Sequence, residues 1–336
     1  VVWQLLRGLR GCPDLDLTWI GAAGSDLTAG GRFISWAGLL ARYAPGLSLP
    51  RVVSPQALAA FESRCNRAAV AFADQQAFDL VHNQGAGSYR CATGVNTPML
   101  MTLHLARGLY SPNFSRVRPN LHLQCVSHTQ LREYGATACC GCVPNGVALG
   151  AYPVRAAPSP SAPLLYLGRI CREKGPDLAI RLARAVRRPL WIVGGVAPFP
   201  SHLAYFREAI AAALDADIRW LPPPRRGRKL ELLHAAAAVV IPSRVAETSS
   251  LVAMEAAACG VPVLALRRGA LPEVVSHGET GFLADDWEGL AAAASHLAHI
   301  RVGACRRRAE LHFDAARMVA QYARLYRCLC PARASA

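Results

Sequence analysis

Short apolar runs alternate along this chain with longer stretches of helical periodicity, the pattern of parallel α/β units. "VVWQLLRGLRG" reads as a helix and "LDLTWIGA" after it as a strand. "FDLVHNQGAG", "PMLMTLH" and "HLQCVS" are short buried runs that end in Gly or polar residues, and "ACCGCVPNGV" reads as the last strand and turn of this half. Residues 152–163, "YPVRAAPSPSAP", are rich in Pro, Ala and Ser and read as a linker. A second series follows at once. "LLYLGRI", "PLWIVGG", "IRWLPP", "AAAAVVIPS" and "VPVLAL" read as strands, and "GPDLAIRLARAV", "LAYFREAIAAAL", "RKLELLHAA" and "EGLAAAASHLAHI" as helices. This predicts two doubly wound domains, with ligands in a cleft at the carboxyl ends of their strands.

Composition agrees with two cores. The chain has 336 residues, 52% hydrophobic and 18% charged, which describes a globular protein with much to bury. No uninterrupted apolar run approaches the ~18 residues a membrane helix needs. The first residues lack the charged start and small-residue cleavage site of a signal peptide, so a cytoplasmic protein is expected. The net charge of +15 favours anionic partners, but Lys174 and Lys229 are the only lysines, and an Arg- and Ala-rich chain also suits a GC-rich coding bias. The 12 cysteines include Cys139, Cys140 and Cys142 in one cluster and Cys328 and Cys330 in another, without the second spaced pair that zinc requires. Reduced structural thiols and no metal are expected.

Candidate chemistry gathers in the second half. In "AETSSLVAMEAAACGVPVLA", residues 246–265, Glu247 falls on the loop after a strand. Ser249 and Ser250 are N-cap candidates, and Glu255 lies one to two turns into the helix that follows. The two carboxylates would bracket a helix N-terminus, where backbone N–H groups favour anions. "LGRICREKG" ends a strand at Gly168 and Arg169 and places Lys174 and Gly175 before a helix, a receptor for a diphosphate. His104 ends the strand "MLMTLH" at the carboxyl edge of the first domain. Gly269, Pro272, Glu273 and Gly281 fall in a turn-rich closing segment.

Taken in order, "PNGV" at 144–147, "GRICREKG" at 168–175, "ETSSLVAMEAAACGVPV" at 247–263, "PEVV" at 272–275 and "TGF" at 280–282 resemble the retaining glycosyltransferases of family 4. That family has the GT-B fold, two Rossmann-like doubly wound domains facing each other across a cleft. The likeness is specific in the second half and weaker in the first, where His104 and Ser127 are the main anchors. It implies an acceptor-side domain over 1–153, a nucleotide-sugar-binding domain over 154–312, and a last helix, 313–330, returning to the first domain. It also implies an enzyme of the hexosyltransferase type (EC 2.4), moving a sugar from a UDP- or GDP-sugar to a hydroxyl acceptor in glycan, glycolipid or cell-envelope polysaccharide synthesis.

The residues carry over one by one. Arg169 and Lys174 would hold the donor diphosphate in place of a metal, and Glu255 would accept from the ribose hydroxyls. Glu247 would face the donor sugar, with His104 approaching from the other domain as the second catalytic candidate. Ser249, Ser250 and Leu251 would contact phosphate or sugar through their backbone. Ser249-Ser250 stands where the family usually has Phe-Gly, and Thr248 where it has Pro, so a changed sugar pocket is expected. No cofactor is implied. A lipid-linked acceptor and peripheral contact with anionic membrane at its inner face are expected partners, and nucleic acid is not.

Two rivals remain: a nucleotide-sugar epimerase on the same fold, which lacks the paired-acid block, and a non-catalytic basic nucleic-acid-binding protein using "PPPRRGRK" and "CRRR". "DLD" at 14–16 and "DAD" at 215–217 mimic a metal motif of another glycosyltransferase fold and are discounted as plain acidic turns. "LDLTWIGA" resembles the family's second strand, so the central first strand is expected to be missing, leaving two strand edges unpaired. An upstream in-frame extension of about 15–25 residues is expected to supply it.

Overall fold

A computed structural model describes residues 1–21, 31–43, 55–85, 97–110, 120–135 and 141–330. The chain divides into two compact units, residues 1–144 with 315–336, and residues 145–314. In the first unit the elements run α1 (Val2–Leu9), β1 (Thr18–Gly21), β2 (Arg32–Ser35), α2 (Trp36–Tyr43), α3 (Pro55–Gln75), β3 (Val81–Asn83), β4 (Met99–Leu103), β5 (Leu121–Cys125), α4 (His128–Tyr134) and β6 (Gly141–Cys142).

β4 shows why an apolar run becomes a strand here. All five of its residues are buried. Met99, Met101 and Leu103 join Val70 of α3 in one cluster, and Leu100 joins Leu5 and Leu9 of α1 in another. A parallel strand covered on both faces needs such a continuous run. α2 and α3 add to the elements read from the pattern. The buried face of α3 carries Cys65, Ala68, Ala73 and Phe72, and small residues make a weak hydrophobic signal.

The strands of this unit form two parallel sheets rather than one, β1 with β2 and β3-β4-β5-β6 in sequence order. Among the described residues β1 and β3 each have a single strand neighbour.

The second unit runs β7 (Leu164–Leu167), α5 (Pro176–Ala185), β8 (Leu190–Val193), α6 (Pro200–Tyr205), β9 (Ile218–Leu221), α7 (Arg226–Ala235), β10 (Ala238–Ile241), α8 (Leu251–Ala258), β11 (Val263–Leu266), α9 (Leu271–Val274), β12 (Gly281–Ala284), α10 (Trp287–Ala294) and α11 (Val302–His312). α12 (Ala315–Leu329) then returns to the first unit, where Met318, Tyr322 and Tyr326 share a cluster with Leu5 and Leu9. Gly8 lets the two helices meet closely, since a Cβ there would lie 2.3 Å from a Val319 methyl.

All six strands of the second unit are parallel, in the order β12-β11-β10-β7-β8-β9. Side chains alternate between the two faces. Leu164, Tyr166, Val240 and Leu264 enter one core, and Leu165, Val239, Val263 and Ala265 the other. Winding reverses between the neighbours β7 and β10, so the chain leaving one turns away from the chain leaving the other. That is the switch point where open α/β sheets bind ligands.

Several expectations are corrected. Residues 152–163 are not a free linker, and the unit boundary falls at 144–145 instead of 153–154. Val147 N–H donates to Phe313 O at 2.7 Å, Arg155 N–H donates to Cys259 O at 3.0 Å, and the buried Arg155 guanidinium reaches the Ala236 and Ala237 carbonyls. Pro, Ala and Ser signal an absence of helix and strand, not an absence of contacts. "LAYFREAIAAAL" is not one regular helix: α6 passes into a wide π-type turn at Phe206–Ile210 and a tight 3-10 turn at Ala211–Ala213. "EGLAAAASHLAHI" breaks after Ala294 and resumes as a tight 3-10 turn at Leu297–His299.

The discounted acidic motifs have structural work. Asp215 accepts the N–H groups of Asp217 and Ile218, and Asp14 pairs with Arg327. Cys259 and Cys305 are buried free thiols, and burial pushes them up to about 11 and about 12. Cys139 and Cys140 lie outside the described residues. Among the described residues, no helix is long and apolar enough to cross a membrane.

Candidate functional site

The loops that leave β7 and β10 are pressed together backbone to backbone. Gly175 adopts φ +67°, and a Cβ there would lie 2.3 Å from Pro242 O, so the contact needs glycine. Arg244 locks the two loops. Its N–H donates to Glu173 O at 2.8 Å, and its guanidinium donates to Arg172 O and, at 2.8 and 2.6 Å, to both oxygens of Asp177 on α5. Burial opposes ionisation of Asp177, but the hydrogen bonds from Arg244 and Tyr205 outweigh it and hold the carboxyl below its usual range.

This clamp brings together two residues 73 positions apart. Lys174 Nζ lies 2.6 Å from Glu247 Oε1. The Glu247 side chain is 10% exposed, so its charge is shielded without being sealed off. From behind, Ala270 N–H donates to Glu247 O at 2.7 Å, and Gly269 forms a parallel bridge with Glu247. Gly269 has φ +58°, and a Cβ there would sit 2.3 Å from Glu247 O.

α8 begins as the sequence suggests, with Ser250 as the cap that accepts from Ala253 N–H. Ser249 is not the cap. Its Oγ is buried with no hydrogen-bond partner among the described residues, a polar atom that calls for one. Leu251 opens the helix, half-buried. On the next turn Glu255 Oε1 accepts from Lys229 Nζ and from Tyr152 OH, each at 2.6 Å. Arg169 follows Gly168 at the end of β7 and makes no ion pair among the described residues.

The candidates thus gather on the second unit, with one exception. Arg169, Lys174, Glu247, Ser249, Ser250, Leu251 and Glu255 all lie on elements that leave the carboxyl ends of β7 and β10. His104 belongs to the first unit, at the carboxyl end of β4. There its Nε2–H donates to Gln84 Oε1 at 2.6 Å, and Gln84 Nε2 donates to His82 Nε2 at 2.8 Å. His82 Nε2 also lies 2.7 Å from Thr102 Oγ1, which meets Tyr322 OH at 2.9 Å, and its Nδ1 meets Tyr326 OH. Burial lowers the His104 imidazole below its ordinary value and takes His82 to about 3, so His82 stays neutral.

The sequence reading did not include Lys229, Tyr152, Arg244, Asp177, Gln84 or His82 among its site residues. Lys229 carried a signal, as the only other lysine, but it was read as part of a basic run. The rest become visible only when distant segments meet. No group of three or more His, Cys, Asp or Glu placed to hold a metal ion occurs among the described residues.

Two predictions follow from this geometry. Gly269→Ala is expected to displace the Glu247 backbone and lower the unfolding free energy by about 1–3 kcal/mol, the cost of a strained non-glycine residue. Unchanged stability in a denaturant titration would show that the loop does not press on Glu247. An unfolded histidine titrates near 6.5, whereas folded His82 does so at about 3. Acid therefore protonates the unfolded chain first, and stability is expected to fall as pH drops from about 6.5 towards about 3. The urea midpoint should follow this decline, and His82→Gln should flatten it.

Residues 162–299 match the family model "Glycosyl transferases group 1". A D-inositol 3-phosphate glycosyltransferase of Pseudarthrobacter chlorophenolicus is 38% identical over 137 residues, 37% of this chain and 32% of its own. One from Jonesia denitrificans is 34% identical over 181 residues, 48% of this chain and 42% of its own. The matched region thus spans about a third to two fifths of these relatives' length. Among solved structures, sucrose-phosphate synthase from Thermosynechococcus elongatus superposes with a TM-score of 0.78 at 22% identity, over 98% of this chain and 92% of its own. Anabaena HepE in complex with UDP-glucose gives 0.65 at 19% identity, over 78% and 81%. These likenesses bear out the two-unit α/β fold of the GT-B class. With Glu247 and Glu255, Lys174 and Arg169 all inside the matched region, residues 162–299 are similar to the group 1 glycosyl transferases, and the resemblance to glycosyltransferase family 4 is borne out.

Proposed function

We propose that this chain is a retaining glycosyltransferase that moves a sugar from a UDP- or GDP-sugar to a hydroxyl acceptor. The observation that carries the reading is the pairing of Lys174 with Glu247, 2.6 Å apart, where β7 and β10 diverge, with Glu255 one helix turn further on. Arg169 and Lys174 would receive the diphosphate at the start of α5, and the first N–H groups of α8 would take phosphate or sugar oxygens. Glu255 would accept from the ribose hydroxyls, and Glu247 from hydroxyls of the donor sugar. His104, at the carboxyl end of β4, is the second catalytic candidate.

As the bond between the anomeric carbon and the phosphate oxygen breaks, charge grows on the leaving diphosphate. Fixed cations stabilise that charge best because they need no reorganisation. Lys174 starts out paired with Glu247, so donor binding exchanges one anionic partner for another. The acceptor hydroxyl attacks on the face that the nucleotide leaves and gives its proton to the departing phosphate, so configuration is retained without an enzyme nucleophile. The reading gains support from relatives named as D-inositol 3-phosphate glycosyltransferases and from HepE, solved with UDP-glucose and with UDP and glucose.

Donor binding and turnover test it together. Lys174→Ala should weaken UDP or GDP binding by about 10- to 100-fold, the worth of a charge-assisted contact. Glu247→Gln should abolish transfer with little change in melting temperature, and turnover should persist in EDTA. Wild-type donor affinity in Lys174→Ala, or wild-type turnover in Glu247→Gln, refutes the assignment.

We extend the reading to a lipid-linked acceptor and peripheral contact with anionic membrane, on the strength of the +15 net charge. Flotation with vesicles of rising acidic-lipid content should carry the protein increasingly upward, and indifference to acidic lipid removes the extension.

A further inference from the structure

The two lysines of the chain serve one purpose each. Lys174 pairs with Glu247, and Lys229 pairs with Glu255, both at 2.6 Å, while every other basic side chain is Arg or His. Glu255 differs from Glu247 in having a second donor on the same atom. Oε1 takes both the Lys229 ammonium and the Tyr152 hydroxyl, and the ammonium also sits 5.7 Å from the centre of the Tyr152 ring. Oε2 makes no hydrogen bond among the described residues. The Glu255 side chain keeps 12% of its surface exposed.

Three separate elements meet at this carboxylate: α8 through Glu255, α7 through Lys229, and the segment before β7 through Tyr152. Such cross-bracing removes the rotamer freedom of a glutamate before any ligand arrives, which is the usual source of gain from preorganisation. The Lys229 ammonium, 2.6 Å away, also offsets the repulsion between the Glu255 carboxylate and an incoming diphosphate.

We propose that Lys229 and Tyr152 are positioning residues that occupy one oxygen of Glu255 and aim the other at a vicinal diol, making the site selective for nucleotides that carry both ribose hydroxyls. This rests on the reading of Glu255 as the ribose acceptor. Lys229 and Tyr152 act through the carboxylate that they hold, so their loss should change the discrimination between sugars and not the grip on phosphate.

The test is calorimetric binding of UDP and GDP and of their 2′,3′-dideoxy forms to the whole chain. The wild-type protein should prefer the ribonucleotide by at least about tenfold, since hydrogen bonds to a charged group carry that much. Lys229→Met should bring the two forms to within about threefold of each other, by weakening the ribonucleotide alone. Tyr152→Phe, which keeps the ring, should move the ratio in the same direction and serves if the first variant does not fold. A ratio unchanged from wild type in a folded variant overturns the proposal, as does an equal loss for both forms, which would place Lys229 on the phosphates. A wild-type protein indifferent to the missing hydroxyls refutes the ribose reading of Glu255 itself.

Discussion

Everything at the site depends on how closely the loops after β7 and β10 approach each other. Parallel strands at a switch point send their chains apart, and here two devices keep the first residues of those chains together. One is Gly175 in a left-handed turn, with no room for a Cβ against Pro242 O. The other is the bidentate pair of Arg244 and Asp177. A planar guanidinium held by two parallel hydrogen bonds fixes orientation as well as distance, which a lysine could not do. Lys174 and Glu247 are then neighbours because their backbones have no alternative.

The charges at the site are arranged with economy. Two shielded carboxylates each have one ammonium, and the cations that remain uncommitted, Arg169 above all, belong to the same loop. A compact ammonium can give up a carboxylate for a phosphate by small rotations of a flexible stem, whereas a forked guanidinium resists such exchange. That difference gives physical meaning to a lysine at position 174 in a chain that uses Arg almost everywhere. The first unit solves its own problem with neutral groups instead. Tyr326, His82, Thr102, Tyr322 and Gln84 form a hydrogen-bonded series that ends on His104, and burial keeps His82 uncharged so that the series stays intact.

Much of the fold was legible from local pattern. Runs such as "MLMTL" and "LLYL" could only be strands covered on both faces, and their spacing by helical stretches required parallel sheets. The loop position of Glu247, the capped start of α8 and the place of Glu255 on it also followed from residue order, since caps and short loops act over a few residues. Less legible were α3, whose buried stripe is mostly small residues, and the segment 152–163, whose composition hid its contacts with α8 and the loop beyond it.

The sequence by itself determined the order of elements, the winding of the second unit and the family motifs on its loops, because hydrophobic periodicity, turn residues and spacing are local properties. Only the tertiary structure decided which charges meet. Lys174 finds Glu247 across 73 positions, Glu255 takes Lys229 and Tyr152, and His104 is tied to the last helix through Gln84 and His82. Such pairs depend on strand order and backbone approach over long separations, and no run of adjacent residues encodes them. Which candidate side chains face each other was therefore decided by the fold.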